Sequence, residues 1–292
     1  MRLRYWLKIF LAGVITFVLA FAVLIVWFSY QRAQVYLHPA RGYATGELLK
    51  QNNIDYQDIE LIAEDGVKLS AWYTPPQNGA LILVAHGYGD KRLEDFYILF
   101  ASHGYGVLAW DFRAHGQSGG EFSSLGYYEV RDVKAALDYA LAQPSVKHVG
   151  GWSGSMGAVT MIRAAAGYPQ IEAVVADSPF STLEDLLSVR VPYPVIRPLI
   201  RFFVEMESGV SMDLVSAVDD VREISPRPVY IIQGMGDKAV PLDSAKRIFD
   251  AAGESKFLWT EADVPHLNMY AYYREEYTER VIRFFDEYLL GK

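Results

Sequence analysis

From Ala80 onward, short apolar runs alternate with longer stretches of helical period, and this alternation restricts the fold more than any other feature of the chain. Ala80 to Ala85 (ALILVA) is apolar without a break, the pattern of a strand buried on both faces of a parallel sheet. The series continues with helix around Leu93 to Ser102, strand Gly106 to Trp110, helix around Tyr127 to Ala142 and strand Val146 to Trp152. Helix Met156 to Ala166 and strand Ile171 to Ala176 follow. After an interruption come strand Val229 to Gln233, helix Leu242 to Ala252, strand Lys256 to Thr260 and a closing helix from about Tyr272 to Leu290. Such βαβ units connect with one hand, so the pattern predicts an α/β fold, a mostly parallel central sheet flanked by helices on both faces. Ahead of it, Asp58 to Ala63 and Val67 to Tyr73 flank Glu64-Asp65-Gly66 and read as a hairpin.

In sheets of this kind, ligands bind beyond the carboxyl ends of the strands. The loops that matter are therefore those after Ala85, Trp110, Trp152, Ala176, Gln233 and Thr260. Between Asp177 and Pro226 the alternation stops, and Pro179, Pro192, Pro194 and Pro198 punctuate an apolar, aromatic stretch. Residues 178–225 read as an inserted cap with helical pieces of its own, placed where it would cover a site. The plainer alternative is a long connection packed on the sheet edge.

Ile9 to Phe28 is a run of twenty uncharged residues, about the length that spans a bilayer as a helix. Tyr5 and Trp6 precede it and Trp27 and Tyr30 follow it, as interfacial aromatics do. Residues 1–30 are thus expected to form a single-pass membrane anchor, 31–57 a juxtamembrane linker, and 58–292 the main domain. A cleaved secretory signal ending at Ala20-Phe21-Ala22 is the alternative, but Val23 to Phe28 carries the apolar run past that point. Arg2, Arg4 and Lys8 before the run outnumber Arg32 and Arg41 after it by one charge, which favours the extracytoplasmic side for the domain. His38 in the linker reads as a surface residue.

A formal net charge of −8 argues against nucleic acid as a partner, since phosphate binding needs clustered Lys and Arg. Cysteine is absent, which excludes disulfides, thiolate catalysis and cysteine zinc sites. The six histidines are dispersed, with no HExxH, so neither a metal nor another cofactor is expected.

Four short motifs fall directly after predicted strands. They are His86-Gly87-Tyr88-Gly89-Asp90, Ser153-Gly154-Ser155-Met156-Gly157, Gly234-Met235-Gly236-Asp237 with Val240-Pro241 behind it, and Asp263-Val264-Pro265-His266-Leu267-Asn268. In this order they resemble the α/β-hydrolase family from about residue 58 to the end, and within it the membrane-anchored or secreted serine hydrolases of the BEM46-like, ABHD13-like kind. The resemblance implies a GxSxG-type elbow with Ser155 as nucleophile, Asp237 as acid and His266 as base, in the chain order of that fold. It implies backbone N–H groups of Tyr88 and Met156 as the oxyanion hole, and a loop-holding role for His86. Ser153 is the rival nucleophile, but Gly157 fits the small position two residues after Ser155. Ser153 itself stands where the family has glycine, so some strain at the turn is expected, and Pro265 stands where glycine commonly precedes the histidine.

Asp111-Phe112-Arg113-Ala114-His115-Gly116-Gln117-Ser118 is a fifth family-like stretch, read as structural, with Asp111 and Arg113 bonding backbone. His103 and His148 carry no expected role. The expected activity is a serine hydrolase cleaving a carboxylic ester or related acyl bond of a small-molecule or lipid-like substrate through an acyl-enzyme. A serine peptidase on the same residues, or a silent hydrolase-like binding module, are the alternatives.

Overall fold

The computed structural model describes residues 2–292. The chain starts with the long helix α1 (Arg2–Leu37) and the short α2 (Glu47–Gln51), then the hairpin strands β1 (Gln57–Ile62) and β2 (Lys68–Thr74). There follow β3 (Ala80–Ala85), α3 (Glu94–Ala101), β4 (Gly106–Trp110), α4 (Glu129–Leu141), β5 (His148–Gly154), α5 (Met156–Gly167) and β6 (Ala173–Asp177). Next come α6 (Leu183–Arg190), α7 (Arg197–Ser208) and α8 (Ala217–Asp220) with two 3-10 turns, then β7 (Val229–Gly234), α9 (Leu242–Ala251) and β8 (Lys256–Glu261). The chain closes with α10 (Met269–Tyr272) and α11 (Arg274–Leu290).

The eight strands form one sheet in the order β1-β2-β4-β3-β5-β6-β7-β8. Only β2 runs against its neighbours, pairing antiparallel with both β1 and β4. The alternating runs fold as expected because β3 is apolar on both sides: Leu81, Leu83 and Ala85 enter one core while Ala80, Ile82 and Val84 enter the other. The chain winds outward from β3 in both directions, so β4 flanks it on one side and β5 on the other. A crevice opens at such a reversal beyond the strand ends. The loop after β3 and the turn after β5 share its floor.

Strand β5 begins at His148 rather than Val146, because Val146 closes a turn by donating to the Gln143 carbonyl. It continues through Gly154, which puts Ser153 inside a regular strand. The insertion between β6 and β7 does carry helices of its own, and Thr182 caps α6 by accepting the Asp185 amide at 3.0 Å. Gly209, left-handed at φ 69°, ends α7.

Helix α1 is long and apolar enough to cross a membrane, and its apolar residues up to Phe28 stand exposed, save the half-buried Ile25. It does not end with the apolar run. It continues into the stretch read as linker, where Ala33 and Leu37, one helical turn apart, are fully buried against the sheet domain. His38 is exposed as expected, and it bonds the Glu121 carbonyl at 2.9 Å and Glu207 of α7 at 2.8 Å.

Candidate active site

The turn between β5 and α5 reverses the chain within one residue. Ser155 takes up that reversal at φ 53° and ψ −119°, a strained backbone for a residue with a side chain, and its hydroxyl is thereby raised above the strand ends. Gly157 makes the turn possible, since a Cβ there would stand 2.4 Å from the His86 carbonyl oxygen. The strain expected at Ser153 falls instead on Ser155. Ser153 is ordinary strand, flanked in register by Ala85 and Ala176, whose small side chains leave room for it. Its hydroxyl is buried with no hydrogen-bond partner among the described residues.

The loops after β7 and β8 lie against each other because the first is glycine-rich: a Cβ on Gly234 would meet the Val264 carbonyl oxygen at 2.2 Å. This contact brings Asp237 to His266. His266 Nδ1 lies 2.6 Å from Asp237 Oδ2, and His266 Nε2 lies 2.9 Å from Ser155 Oγ. The other Asp237 oxygen accepts the amides of Ala239 at 2.7 Å and Val240 at 2.8 Å, while Gln233 Nε2 donates to Oδ2 at 2.8 Å. Burial pushes the Asp237 carboxyl up, but the His266 bond and these backbone donors outweigh it and hold it below the usual carboxylate range. An ionised acceptor on Nδ1 keeps the imidazole in the tautomer whose Nε2 can take a proton.

Tyr88 and Met156 both line the cavity at Ser155. Their backbone amides have no acceptor among the described residues, and Met156 is the first residue of α5, where amides are free by construction. The Tyr88 hydroxyl donates to the Val35 carbonyl in the last turn of α1, so the loop after β3 is tied to the long helix. His86 is fully buried. Its Nε2 accepts the Phe112 amide at 2.9 Å, which leaves Nδ1 to donate to the Gly87 carbonyl at 2.7 Å. Burial pushes its pKa down to about 4, so it is neutral and pins the loop to the end of β4.

Asp111 bonds backbone, accepting the amides of Arg92 at 2.8 Å and Gln117 at 2.9 Å. Arg113 corrects the reading of that stretch. Its guanidinium bonds no backbone but pairs with the carboxylates of Asp132 at 2.6 Å and Asp65 at 2.7 Å, tying the hairpin turn to α4.

Behind Ser155 lies a buried chain of polar groups that the sequence reading assigned no role. Trp152 Nε1 donates to the Tyr277 hydroxyl, Tyr277 donates to Asp177 Oδ2, and Ser178 Oγ donates to Asp177 Oδ1, at 2.9, 2.9 and 2.8 Å. Asp177 ends β6, so its position after Ala176 was the available signal. Burial raises its pKa to about 6, against the lowering effect of the two hydroxyl donors.

The cavity over Ser155 measures about 330 Å³, at the small end of the range for small-molecule sites. The insertion roofs it with Phe180, Leu183, Leu187 and Met212, and α1 supplies Arg32, Val35 and Tyr36 as a wall. The α1 contribution was missed because residues 31–37 read as linker. Among the described residues no cluster of His, Asp and Glu suited to a metal is present.

Residues 76–209 match the family Hydrolase_4, described as serine aminopeptidase, S33. The chain is 28% identical over 233 residues to the uncharacterized protein YqkD of Bacillus subtilis, spanning 76% of each chain. It is 24% identical over 241 residues to protein bem46 of Schizosaccharomyces pombe, spanning 78% of this chain and 77% of that one. Among solved structures, the Pyrococcus furiosus esterase Pf2001 superposes with a TM-score of 0.73 at 27% identity, covering 86% of this chain and 99% of the esterase. The chain has the α/β-hydrolase fold and is a hydrolytic enzyme, and the family match and the relatives support the BEM46-like branch.

Proposed function

We propose that the enzyme cleaves carboxylic esters of lipid-like acyl groups through a covalent acyl-enzyme, with α1 as a membrane anchor and the remaining chain on the extracytoplasmic side. His266 Nε2 takes the proton of Ser155 as its oxygen adds to the ester carbonyl. The negative charge that forms is held by the Tyr88 and Met156 amides. Collapse breaks the ester C–O bond, the acyl group stays on Ser155, and His266 returns the proton to the departing alcohol. Water then adds to the acyl-enzyme with His266 again as base, releasing the acid and restoring Ser155. Throughout, Asp237 stabilises the imidazolium and fixes its orientation.

The observation that carries this reading is the unbroken chain Ser155–His266–Asp237, at 2.9 and 2.6 Å, whose Ser155 lies in the wall of a cavity lined chiefly by apolar side chains. The described family name favours a second reading, an aminopeptidase on the same residues. Such a site needs a carboxylate for the substrate's terminal ammonium, and the cavity lining contains arginines and no acid. This favours the ester.

An active-site-directed phosphonate should label the wild type at Ser155 and leave Ser155→Ala unlabelled. A panel of acyl esters of rising chain length, run beside peptide substrates, should show turnover of esters only. Turnover confined to peptides would overturn the ester assignment, and an unlabelled, inactive wild type would identify a silent module.

A further inference from the structure

Helix α7 carries apolar residues on two faces, and the fold buries only one of them. Ile200 and Val204 enter the core, and Val204 lines the cavity over Ser155. Phe202 and Met206, one helical turn apart on another face, keep 56% and 59% of their surface exposed. The charged side chains of the helix are all engaged elsewhere. Arg201 pairs with Glu184, Glu205 and Asp213, Glu207 binds Gln34 and His38, and Arg197 Nε donates to the Val191 carbonyl at 2.7 Å. A large apolar surface left open in this way marks a contact with something else.

What that contact is follows from where α7 is docked. Its main packing partner is α1, the helix with the exposed apolar run. Phe203 meets Tyr30 edge to face with ring centroids 5.4 Å apart, and it shares an open groove with Val23, Val26 and Trp27. The Phe202 ring stands 5.4 Å from that of Phe203. The apolar run ends at Phe28, so Val26 and Val23 lie about 3 and 8 Å inside it along the helix axis. A helix lying in a bilayer interface buries its apolar face about 5–10 Å into the boundary between head groups and acyl chains. The level at which α1 holds Phe203 matches that depth. Lipid surrounding α1 therefore reaches Phe203 and, one ring further, Phe202, whereas a protein partner would have to displace lipid from the α1 run to cover them.

We propose that α7 is a second membrane contact, lying in the head-group layer of the leaflet in which the apolar run of α1 ends, with Phe202 and Met206 in the acyl boundary. The proposal rests on α1 spanning the bilayer, as given above. It makes α7 the partition between lipid and active site, with Phe202 and Met206 against the leaflet and Val204 in the wall of the cavity over Ser155.

The chain has no cysteine, so a single fluorophore can be placed on the full-length protein at Phe202→Cys, Met206→Cys, Val23→Cys or Leu141→Cys. Leu141 is an exposed control at the end of α4, just ahead of β5 and so at the edge of the sheet away from the cavity. Each protein is reconstituted at one copy per phosphatidylcholine nanodisc and quenched either by aqueous iodide or by nitroxide-bearing lipid. Probes at 202 and 206 should be quenched by the lipid nitroxide, and their iodide quenching should be about threefold or more weaker than at 141. Phosphonate labelling of Ser155 reports whether each variant is folded, and if Phe202→Cys is not, the more exposed position 206 decides. Iodide quenching at 202 and 206 equal to that at 141, with the probe at 23 quenched by lipid, overturns the proposal and leaves the anchor standing. Protection from iodide without quenching by lipid means that protein covers the face, which also overturns it. A probe at 23 that lipid does not quench removes the anchor, and the proposal falls with it.

Discussion

The Tyr277 hydroxyl donates to the Asp177 carboxylate at 2.9 Å in the interior of the domain, behind the turn that carries Ser155. The carbonyl of the same Asp177 accepts the Ser155 amide at 2.8 Å, and Ser178, which donates to the Asp177 carboxylate, stands 3.4 Å from the amide that follows His266. Asp177 thus braces both sides of the site: its backbone carbonyl holds the strained Ser155, and its carboxylate, through Ser178, holds the loop of His266.

That carboxyl predicts a specific pH dependence. Its folded pKa is raised from 3.8 to about 6 by burial, so the stability it contributes is fully present below about pH 4 and is lost as pH rises through 6. The loss amounts to about 3 kcal/mol. Asp177→Asn has no such titration, so the wild-type Tm minus the variant Tm should fall between pH 4 and pH 7. Parallel Tm curves for the two proteins across that interval would remove the carboxyl from the account.

Ser153 makes the opposite kind of prediction. Its hydroxyl is buried and unpartnered between two alanines, a cost of about 1 kcal/mol or more. Ser153→Ala should therefore keep phosphonate labelling and ester turnover, and should raise Tm by about 2 °C. A loss of labelling in Ser153→Ala would mean that the rival serine is the nucleophile.

How much of this was legible in the sequence follows from how local each signal is. Strands β3 and β4 begin and end where their apolar runs do, since inner strands are buried on both faces and nothing else competes for those residues. The site loops were legible because each follows a strand end, and the sheet order brings those ends together. The inward turn of α1 was not legible: Ala33 and Leu37 are only two residues at a helical spacing, and their burial depends on a sheet face built from residues far along the chain. Arg113 was misread for the same reason, since its partners Asp65 and Asp132 lie 48 and 19 positions away. Asp177 occupied a flagged loop, but its partner Tyr277 comes from the last helix, 100 residues on.

Asp237→Asn tests the acid separately from the fold. Asn can satisfy the Ala239 and Val240 amides with its carbonyl oxygen, which leaves its NH₂ facing His266 Nδ1. The imidazole must then accept at Nδ1 and carry its proton on Nε2, the nitrogen that faces Ser155 at 2.9 Å. In that tautomer it cannot take the serine proton. The expected fall in kcat is about 10⁴-fold, with the KM of a neutral ester nearly unchanged and the fold retained by circular dichroism. A fall of less than tenfold would mean that Asp237 does not set the tautomer.

The long helix gives a last prediction, one that separates its two halves. Beginning the chain at Gln31 removes the exposed apolar run but keeps Ala33 and Leu37 in the core, and keeps the Val35 carbonyl that binds the Tyr88 hydroxyl. Beginning it at Pro39 removes all three. Losing the buried part of a leucine side chain alone costs about 2–5 kcal/mol, against a total stability of about 5–15 kcal/mol. The longer protein should therefore melt at least about 5 °C above the shorter one. It should also retain turnover of long-chain esters, because Arg32, Val35 and Tyr36 still wall the cavity. In the shorter protein the cavity lies open on that side and long-chain turnover should fall more steeply than turnover of an acetate ester. Equal melting temperatures and equal chain-length profiles would show that α1 adds nothing to the domain, and that the cavity is complete without it.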